Sequence, residues 1–364
     1  MPELPAPWGW EFHLYYELDI YMIVITDILK GVSDEGAKNA IIHILRKMKE
    51  KNDYYIISIN GNFQNDFVDF KLSINRMLFK IGFYKKLRKI QDEKILYIPE
   101  ASITFFSFIR GRLIQVFTGK RVAILSTQPR KYGNLLIKLI KFIRPDFVIS
   151  QTIRTASYLN SLGIKNEVLS LGVDSLKFQK VSLQNKKRLR EKFGIKDSKT
   201  VILHVGHIRK TRNLDWLIKV KLQFPEVEII IVGSTSFPND EDLYDILVKN
   251  NIIVIKEYLP NIEEVYNVSD YYIFPVIDNE GAIETPLSVL EAMACNLQVI
   301  TTRFGSLIDL FEPDDYFHFV DSVDEVFNIL KRGKRNKCNN RLKVKPFTWD
   351  VVSNRLYEIL EQQI

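Results

Sequence analysis

Short apolar runs alternate with amphipathic segments along most of this chain. Four runs of strand length, at residues 23–26, 54–59, 122–125 and 147–150, lie in its first half. Residues 37–50 and 132–142 repeat their apolar side chains every three or four positions, which predicts helices. Strands that alternate with helices are typical of a parallel sheet covered on both faces. The sequence therefore predicts an α/β protein.

A second series of the same kind follows. Strands are predicted at 200–205, 228–232, 252–255, 271–275 and 297–301, and helices at 213–224, 240–250, 262–268 and 287–294. Residues 177–199 between the two series are polar and basic, as in a linker that leads into a short helix. The 364 residues exceed the size of one ordinary domain. We expect two tandem doubly wound domains, with a ligand in the cleft at the carboxyl ends of their strands.

The charge is unevenly distributed. The chain has 51 Lys and Arg against 44 Asp and Glu, a net charge of +7. Residues 71–144 contain 17 basic and three acidic side chains, or +14, which leaves −7 elsewhere. Within this stretch, residues 79–90 mix apolar and basic side chains, a pattern that suits an interfacial helix on an anionic membrane. A solvated Lys-rich face is the alternative. No nucleic-acid motif accompanies the charge, so no nucleic-acid partner is expected.

The start of the chain and its cysteines carry further expectations. The first 21 residues contain Glu3, Glu11, Glu17 and Asp19 and lack a basic segment, unlike a signal peptide. A strand-like run begins just after them, so we expect residues 1–21 to lie outside the fold.

No apolar run reaches the roughly 18 residues that span a bilayer. Two cysteines cannot form a disulfide framework, which favours a reduced, cytoplasmic location.

A basic loop follows the predicted strand 200–205. Gly206 ends the strand, Arg209, Lys210 and Arg212 follow, and a helix begins near residue 213. Glycine allows close approach of a ligand to the backbone, and a helix N-terminus adds amides and a positive dipole end. The loop suits a diphosphate, although it lacks the Gly-Lys-Ser/Thr of a P-loop. A basic loop without any ligand is the alternative.

A second loop with acidic residues leads into the helix at 287–294. Glu284 lies just before this helix, and Glu291 lies within it among Leu290, Ala292 and Met293. A carboxylate in apolar surroundings needs a partner or it lowers stability. A sugar hydroxyl would serve, and so would a structural Arg or backbone amide. The residues alone leave both open.

These stretches together resemble the donor-binding half of a GT-B fold glycosyltransferase of group 1, also called glycosyltransferase family 4. The similarity is clearest between residues 200 and 302 and covers about half of the chain well. The matching motifs are Gly172-Val173-Asp174, Gly206 to Arg212, Val265 to Asp270, Pro286 to Ala294 with Val299 to Thr302, and Phe347-Thr348-Trp349.

The resemblance implies a division of the chain. Residues 22–178 would form an N-terminal acceptor-binding Rossmann-like domain, and residues 179–345 a C-terminal domain that binds a nucleotide-sugar donor. Residues 346–364 would form a helix that crosses back to the first domain.

The resemblance also implies how the basic loop binds a donor. Arg212 matches a family Lys that binds the donor diphosphate, and His207 matches an Arg with the same role. His207 is a departure, because a neutral imidazole brings less charge, and Arg209 or Lys210 would compensate. A first-domain amide at Gly36 would reach the same phosphates.

The helix and loop of the second motif receive roles from the resemblance as well. Glu291 matches the glutamate that binds the nucleotide ribose. The family's first glutamate lies eight residues earlier, at Ile283 here, so we expect Glu284 to contact the donor sugar instead. The amides of Leu287 and Ser288 would complete the diphosphate site. Tyr258 is expected near the nucleotide base.

The activity implied is transfer of a sugar from a nucleotide diphosphate sugar, with retention at the anomeric carbon, to a lipid-linked, polysaccharide or other glycan acceptor. Catalysis would involve Arg212, Glu284 and Glu291, with no metal or cofactor. Gln128 and Arg130 are the acceptor-site candidates. His43, the first domain's single histidine within the expected fold, is predicted to have a structural or surface role.

Other functions remain possible for such a chain. An epimerase of the same fold would need acid/base residues in the cleft, and the first domain offers few. A non-catalytic sugar-binding relative is suggested by His207 and Ile283.

The expected location is cytoplasmic, with peripheral attachment to the membrane surface.

Overall fold

Two parallel β-sheets organise the chain, one in each half. The computed structural model describes residues 21–27, 29, 36–52, 54–61, 66–73, 79–90, 94–100, 103–128, 130–235, 240–278, 282–334 and 337–364. Within these residues the first sheet has seven strands and the second has six, and all strand pairs are parallel. The predicted α/β class with two doubly wound units is confirmed.

The first sheet has β1 at its centre, between β2 and β4, in the order β3-β2-β1-β4-β5-β6-β7. Its strands are β1 Met22–Thr26, β2 Tyr54–Ile59, β3 Phe70–Leu72, β4 Lys94–Ile98, β5 Arg121–Leu125, β6 Phe147–Ser150 and β7 Asn166–Val168. The helices are α1 Gly36–Lys51, α2 Ile81–Lys89, α3 Phe105–Thr118, α4 Asn134–Ile143 and α5 Ile153–Ser161. The edge strands β3 and β7 have three residues each, too few to give a periodic signal in the sequence.

Both faces of this sheet are covered by helices. In β1, Met22 and Val24 belong to the core beneath α1, while Ile23 and Ile25 belong to the core beneath α2 to α5. Alternate side chains of a strand point to opposite faces, so one fully apolar strand supplies both cores. This explains why the first-domain strands read as continuous apolar runs.

Helix α2 lies in the stretch that was expected to be an interfacial helix, and the structure corrects that expectation. Its apolar side chains Phe83, Tyr84 and Leu87 are buried in the core under the sheet. Because that face is already covered, it is not available to insert into a membrane. An apolar stripe opposite a basic face is produced equally by a helix packed on a domain core.

The second sheet has the order β10-β9-β8-β11-β12-β13. Its strands are β8 Val201–Val205, β9 Glu228–Val232, β10 Ile253–Ile255, β11 Tyr271–Phe274, β12 Gln298–Thr301 and β13 Phe317–Phe319. The helices are α6 Leu183–Lys192, α7 Asp215–Gln223, α8 Glu241–Lys249, α9 Ile262–Val268, α10 Leu287–Ala294, α11 Leu307–Leu310, α12 Val323–Lys331 and α13 Asn340–Lys343. In both sheets the strand order reverses beside the first strand, β1 or β8, which opens a crevice at the carboxyl ends.

The chain passes between the domains twice, and the two crossings lie side by side. Val173 pairs with Thr348 in a parallel bridge, and the Val173 amide donates to the Phe347 carbonyl at 2.8 Å. Gly172 is required here, because a Cβ would lie 2.8 Å from Trp349 Cε3 and 2.9 Å from the Phe347 oxygen. Helix α14, Trp349–Gln363, then packs on α1 and adds apolar side chains to the first-domain core.

The first residues of the fold correct one predicted boundary. Tyr21 was placed in a leader outside the fold, but its ring stacks on Tyr357 of α14 and packs edge-on against Tyr54 of β2. Its hydroxyl also donates to Glu361. Tyr21 is therefore part of the first domain, and residues 1–20 lie outside the described residues. No helix in the described part of the chain has the length and apolar character needed to cross a bilayer.

Candidate active site

A cavity of about 560 Å³ lies between the carboxyl ends of the two sheets. The first domain lines it with Gly36, at the start of α1, and with Gln128, after β5. The second domain lines it from three directions: the loop after β8, the loop after β10 and the start of α10. Ten of the residues predicted to form a site line it: Gly36, Gln128, Gly206, His207, Arg209, Arg212, Tyr258, Leu287, Ser288 and Glu291.

Arg212 belongs to the loop that follows β8. It ends a short 3-10 turn, Lys210–Arg212, and Asn213 then takes a left-handed conformation with φ 53°. The Asn213 side-chain amide donates to the carbonyl of Pro275, the residue after β11, at 3.2 Å, which fixes the end of the turn beside that strand. Gly206 leaves room for the guanidinium, because a Cβ there would lie 3.0 Å from Arg212 Nη1.

The Arg212 guanidinium is buried and has no counter-ion among the residues that the structure describes. Its side chain is only 8% exposed, and its Nε atom is buried with no acceptor among the described residues. Burial lowers the pKa of Arg212 to about 10; of the groups that act on it, Tyr272 raises this pKa and Arg209 lowers it. A buried cation is costly unless it is paired. The Arg212 guanidinium is thus positioned to pair with an anion that enters the cavity.

His204, directly below this loop in β8, does not supply the missing negative charge. Its Nδ1 lies 2.9 Å from the Ile273 carbonyl oxygen, and its ring packs beside those of Tyr272 and Phe274. Burial lowers the pKa of His204 to about 3, and the positive Arg212 adds to this effect. His204 is therefore neutral at physiological pH and serves as a core residue.

Glu291 faces the cavity from the middle of α10. Its Oε2 accepts a hydrogen bond of 2.6 Å from the hydroxyl of Tyr266 on α9. Burial raises the pKa of Glu291 to about 7, while the Tyr266 hydrogen bond acts in the opposite direction. Leu287 and Ser288 form the first turn of the same helix. One eight-residue helix thus presents N-terminal amides and an ionisable carboxylate to the same cavity.

Glu284 is not placed where we expected it. It does not line the cavity, and its Oε1 accepts hydrogen bonds from Thr152 Oγ1 at 2.7 Å and Thr155 Oγ1 at 2.5 Å. Both threonines belong to the start of α5 in the first domain, and Thr152 is the N-cap of that helix. Burial raises the pKa of Glu284, and the two hydroxyls oppose the rise. In this arrangement Glu284 joins the two domains rather than reaching a donor sugar.

Other polar contacts join the domains near Glu284. The Thr285 amide donates to Gln151 Oε1 at 3.1 Å, and the Ile153 amide donates to Asp309 Oδ2 at 3.1 Å. Gly305 is required beside them, because a Cβ at its left-handed position, φ 54°, would lie 2.0 Å from the Glu284 carbonyl oxygen.

Ile283, which stands where the family has its first glutamate, lies at the domain interface. It is buried and belongs to the first-domain core, and a Cβ at Gly36 would lie 3.5 Å from its Cδ1. Ile283 still touches the cavity. The apolar side chain therefore closes the cleft against α1 instead of offering a carboxylate.

The remaining predicted residues lie at the edge or outside. Tyr258 lines the rim and is 57% exposed. Lys210 and Arg130 are exposed and do not line the cavity.

The structure adds residues that the sequence did not assign to the site. His43, for which a structural or surface role was expected, lines the cavity with its ring stacked on Trp349 at 5.1 Å between centroids. Burial lowers the pKa of His43. Asn39, one turn earlier on α1, and Asp174, in the first crossing, also line the cavity. The motifs at 172–174 and 347–349 matched the family and lie close to the predicted domain boundaries at 178 and 346, which was the available signal that they border the cleft.

Comparison with known proteins agrees with this geometry. Residues 185–337 match the family described as Glycosyl transferases group 1. Over 297 residues the chain is 23% identical to alpha-galactosylglucosyldiacylglycerol synthase of Streptococcus pneumoniae, covering 78% of this chain and 72% of that protein.

Among solved structures, Anabaena HepE in complex with UDP superposes with a TM-score of 0.76 at 13% identity, covering 94% of this chain and 99% of that one. Sucrose-phosphate synthase from Thermosynechococcus elongatus superposes with a TM-score of 0.75 at 13% identity, covering 94% and 98%. The fold is therefore GT-B, as the sequence predicted.

Proposed function

We propose that this glycosyltransferase, which has the GT-B fold and a group 1 domain at residues 185–337, transfers a sugar from a nucleotide diphosphate sugar to a lipid-linked or other glycan acceptor. The observation that carries the proposal is Arg212, a buried guanidinium that faces the interdomain cavity and has no counter-ion in the described part of the chain. A diphosphate would supply the two or more anionic oxygens that such a group can bind.

The donor diphosphate would be held between the two domains. Arg212 would bind it from below, with Arg209 and His207 at the cavity wall and Lys210 adding charge from outside. The amides of Leu287 and Ser288 would donate from the first turn of α10, where the helix dipole favours an anion. In the transfer step negative charge builds up on the departing nucleoside diphosphate, so these donors would stabilise the transition state.

Glu291 would bind the nucleotide ribose. A carboxylate accepts hydrogen bonds from two neighbouring hydroxyls, whereas the protonated acid does so less well. Because the pKa of Glu291 is about 7, this contact would strengthen as the pH rises through neutrality. Tyr258 at the rim would lie beside the base. Glu284 is assigned no step, since its carboxylate joins the domains.

Retention of the anomeric configuration and independence from metal ions are parts of the proposal that come from the family resemblance. Proton NMR of the fresh product reports the anomeric configuration directly. Activity that survives EDTA would support catalysis by the Arg212 site alone, and activity lost with EDTA and restored by a divalent ion would contradict it.

The acceptor is proposed to be lipid-linked, at the cytoplasmic surface of an anionic membrane. The excess of +14 over residues 71–144 lies in the first domain, whereas the proposed diphosphate contacts lie mainly in the second. The relative from Streptococcus pneumoniae is named for a glycosylated diacylglycerol. Gln128 would contact the acceptor in the cavity, and Arg130 just outside it.

The test is a panel of nucleotide sugars, screened first by thermal shift and then by transfer to glycolipid acceptors. Wild type is compared with Arg212→Ala and Glu291→Ala, and with Lys249→Ala on an exposed helix of the second domain as control. We expect both site variants to lose donor stabilisation and transfer, and the control to keep them. Activity that is indifferent to both changes would refute the site. Donor binding without transfer to any acceptor would favour a non-catalytic sugar-binding protein.

A further inference from the structure

Helix α4, Asn134–Ile143, exposes an apolar stripe on the surface of the first domain. Leu135, Leu139 and Phe142 are 73%, 43% and 81% exposed, although all three are large apolar residues. They are spaced four and three residues apart, so they lie within an arc of about 60° on one side of the helix. Ile140, on the opposite side, is the helix residue buried in the core. The stripe therefore has no covering element within the described residues.

The stripe is bordered by positive charge. Lys138 and Lys141 lie along one side of it and are exposed, and Arg130, Lys131 and Arg144 flank the two ends of the helix. No acidic residue occurs between positions 101 and 145 in the sequence. Apolar side chains bordered by Lys and Arg match a bilayer surface with anionic headgroups, where the apolar groups insert and the cations stay at the headgroup level.

The helix is attached directly to the cleft. Gln128 lines the cavity, and α4 begins six residues later. Six residues reach at most about 20 Å, so the start of α4 lies within about 20 Å of Gln128. Because α4 follows the carboxyl end of β5, its first turn lies at the same edge of the sheet as the cleft. Phe106, 43% exposed in the first turn of the neighbouring α3, lies at this edge as well.

We propose that the α4 surface, formed by Leu135, Leu139, Phe142, Lys138 and Lys141, is the membrane-contact element of this protein and binds bilayers that contain anionic lipids. The inference deepens the proposed function and rests on its lipid-linked acceptor. A second copy of the chain is a poorer fit, since a symmetric contact would place the basic borders of two identical faces against each other. Membrane contact at α4 would hold the mouth of the cleft close to the bilayer. The headgroup of a lipid-linked acceptor could then enter the cleft while its lipid chains stay in the bilayer.

The experiment measures partition of the full chain to vesicles of pure phosphatidylcholine and to vesicles that also contain phosphatidylglycerol. We expect binding to the anionic vesicles, weakened when salt rises from about 0.1 M to about 1 M, which shortens the Debye length from about 10 Å to about 3 Å. The variant L135S/L139S/F142S should lower the partition coefficient by at least about tenfold, because the inserted apolar area is lost. The variant K138E/K141E should lose binding to anionic vesicles selectively.

Matched controls are available at exposed positions away from α4. Leu176 and Leu183 are 84% and 78% exposed, so L176S/L183S removes similar apolar surface from another place. Lys219 and Lys249 are exposed on α7 and α8, so K219E/K249E makes the same charge change. Both controls should bind vesicles like wild type. Circular dichroism and the melting temperature establish that every variant is folded.

Four results would overturn the inference: no vesicle binding by wild type, vesicle binding unchanged in both α4 variants, equal loss in the controls, or a dimer, seen by sedimentation, that dissociates in the α4 variants. Thermal shift with nucleotide sugars is recorded for the same proteins and should be unchanged by the α4 variants. If wild type binds vesicles but no nucleotide sugar, the proposed function fails while the membrane surface stands. If wild type binds nucleotide sugars but no vesicles, the membrane surface fails while the donor-binding part of the proposed function stands.

Discussion

Replacing Arg212 by methionine should make the free protein more stable and at the same time abolish tight donor binding. The guanidinium is 8% exposed and has no counter-ion in the described part of the chain, and burial lowers its pKa to about 10 from an ordinary value above 12. Each pKa unit corresponds to about 1.4 kcal/mol, so the charged form is destabilised by about 3 kcal/mol in the folded state. Methionine keeps much of the side-chain length and has no charge to bury.

The sign of this effect holds over the whole neutral range. Below pH 10 the residue is protonated in both the folded and the unfolded protein, so the full penalty applies. The penalty diminishes only as the pH rises above about 10. At neutral pH we expect Arg212→Met to raise the free energy of unfolding by about 1 to 3 kcal/mol. The lower figure allows for imperfect packing of the methionine side chain.

Urea denaturation of the free protein gives this stability change, provided that the m-value is unaltered. Isothermal titration with the best nucleotide from the panel gives the other half. Loss of a charged partner should weaken binding by at least about thirtyfold, the equivalent of about 2 kcal/mol. Arg212→Met would then melt higher than wild type without nucleotide and show a much smaller shift with it.

Arg190 supplies the matched control. It is also buried, at 3% exposed, but it pairs with Asp270 at 2.7 Å and donates to the carbonyls of Val268 and Asp197. Arg190→Met should therefore destabilise the protein by about 3 to 5 kcal/mol, with Arg190→Lys as a milder version if that variant does not fold. Arg212→Met that is less stable than wild type, or that keeps full nucleotide affinity, would refute the reasoning.

Three further predictions concern other parts of the cleft and the crossings. Tyr266→Phe removes the hydrogen bond that lowers the pKa of Glu291, so the midpoint of pH-dependent donor binding should move from about 7 to a higher pH, as measured by titration calorimetry across pH. Gly172→Ala places a Cβ 2.8 Å from Trp349 and should cost about 1 to 3 kcal/mol in urea denaturation. Glu284→Ala removes the acceptor for two first-domain hydroxyls and should loosen domain closure, seen as a larger radius of gyration in small-angle X-ray scattering.

Each of these has a control of the same chemistry. Tyr244→Phe on α8 should leave the pH midpoint in place, and a midpoint that stays or falls in Tyr266→Phe would contradict the hydrogen-bond argument. Gly82→Ala, where a Cβ meets no atom within 4 Å, should be neutral or slightly stabilising. Glu312→Ala on the surface should not alter the scattering curve, and the interdomain role of Glu284 is disproved if Glu284→Ala does not either.

The sequence predicted the sheets and the loop around Arg212 well because both depend on local patterns. Strand runs, helical periodicity and a glycine before a basic turn are all visible within about ten residues. Glu284 could not be placed in this way. Its partners, Thr152 and Thr155, are 132 and 129 positions away and belong to the other domain. Only the docking of two domains decides whether that carboxylate points into the cavity or into the interface.

The two helices of the basic stretch show a different limit. The pattern of α2 fits an interfacial helix, yet Phe83, Tyr84 and Leu87 are buried. The pattern of 132–142 fits an ordinary packed helix, yet Leu135, Leu139 and Phe142 are exposed. Periodicity shows that a helix has an apolar side. Which surface covers that side depends on how each helix is rotated on the sheet, and this is set by tertiary packing.

The return of α14 to the first domain has a consequence for the order in which the protein can be built on the ribosome. The core beneath α1 includes Trp349, Val352, Leu356, Ile359 and Leu360, all of which are translated after the whole of the second domain. The second domain can close its own core first, because its strands come from one continuous stretch. The domain translated first is therefore completed last, and until α14 emerges it presents an uncovered apolar groove to the chaperones of the cell.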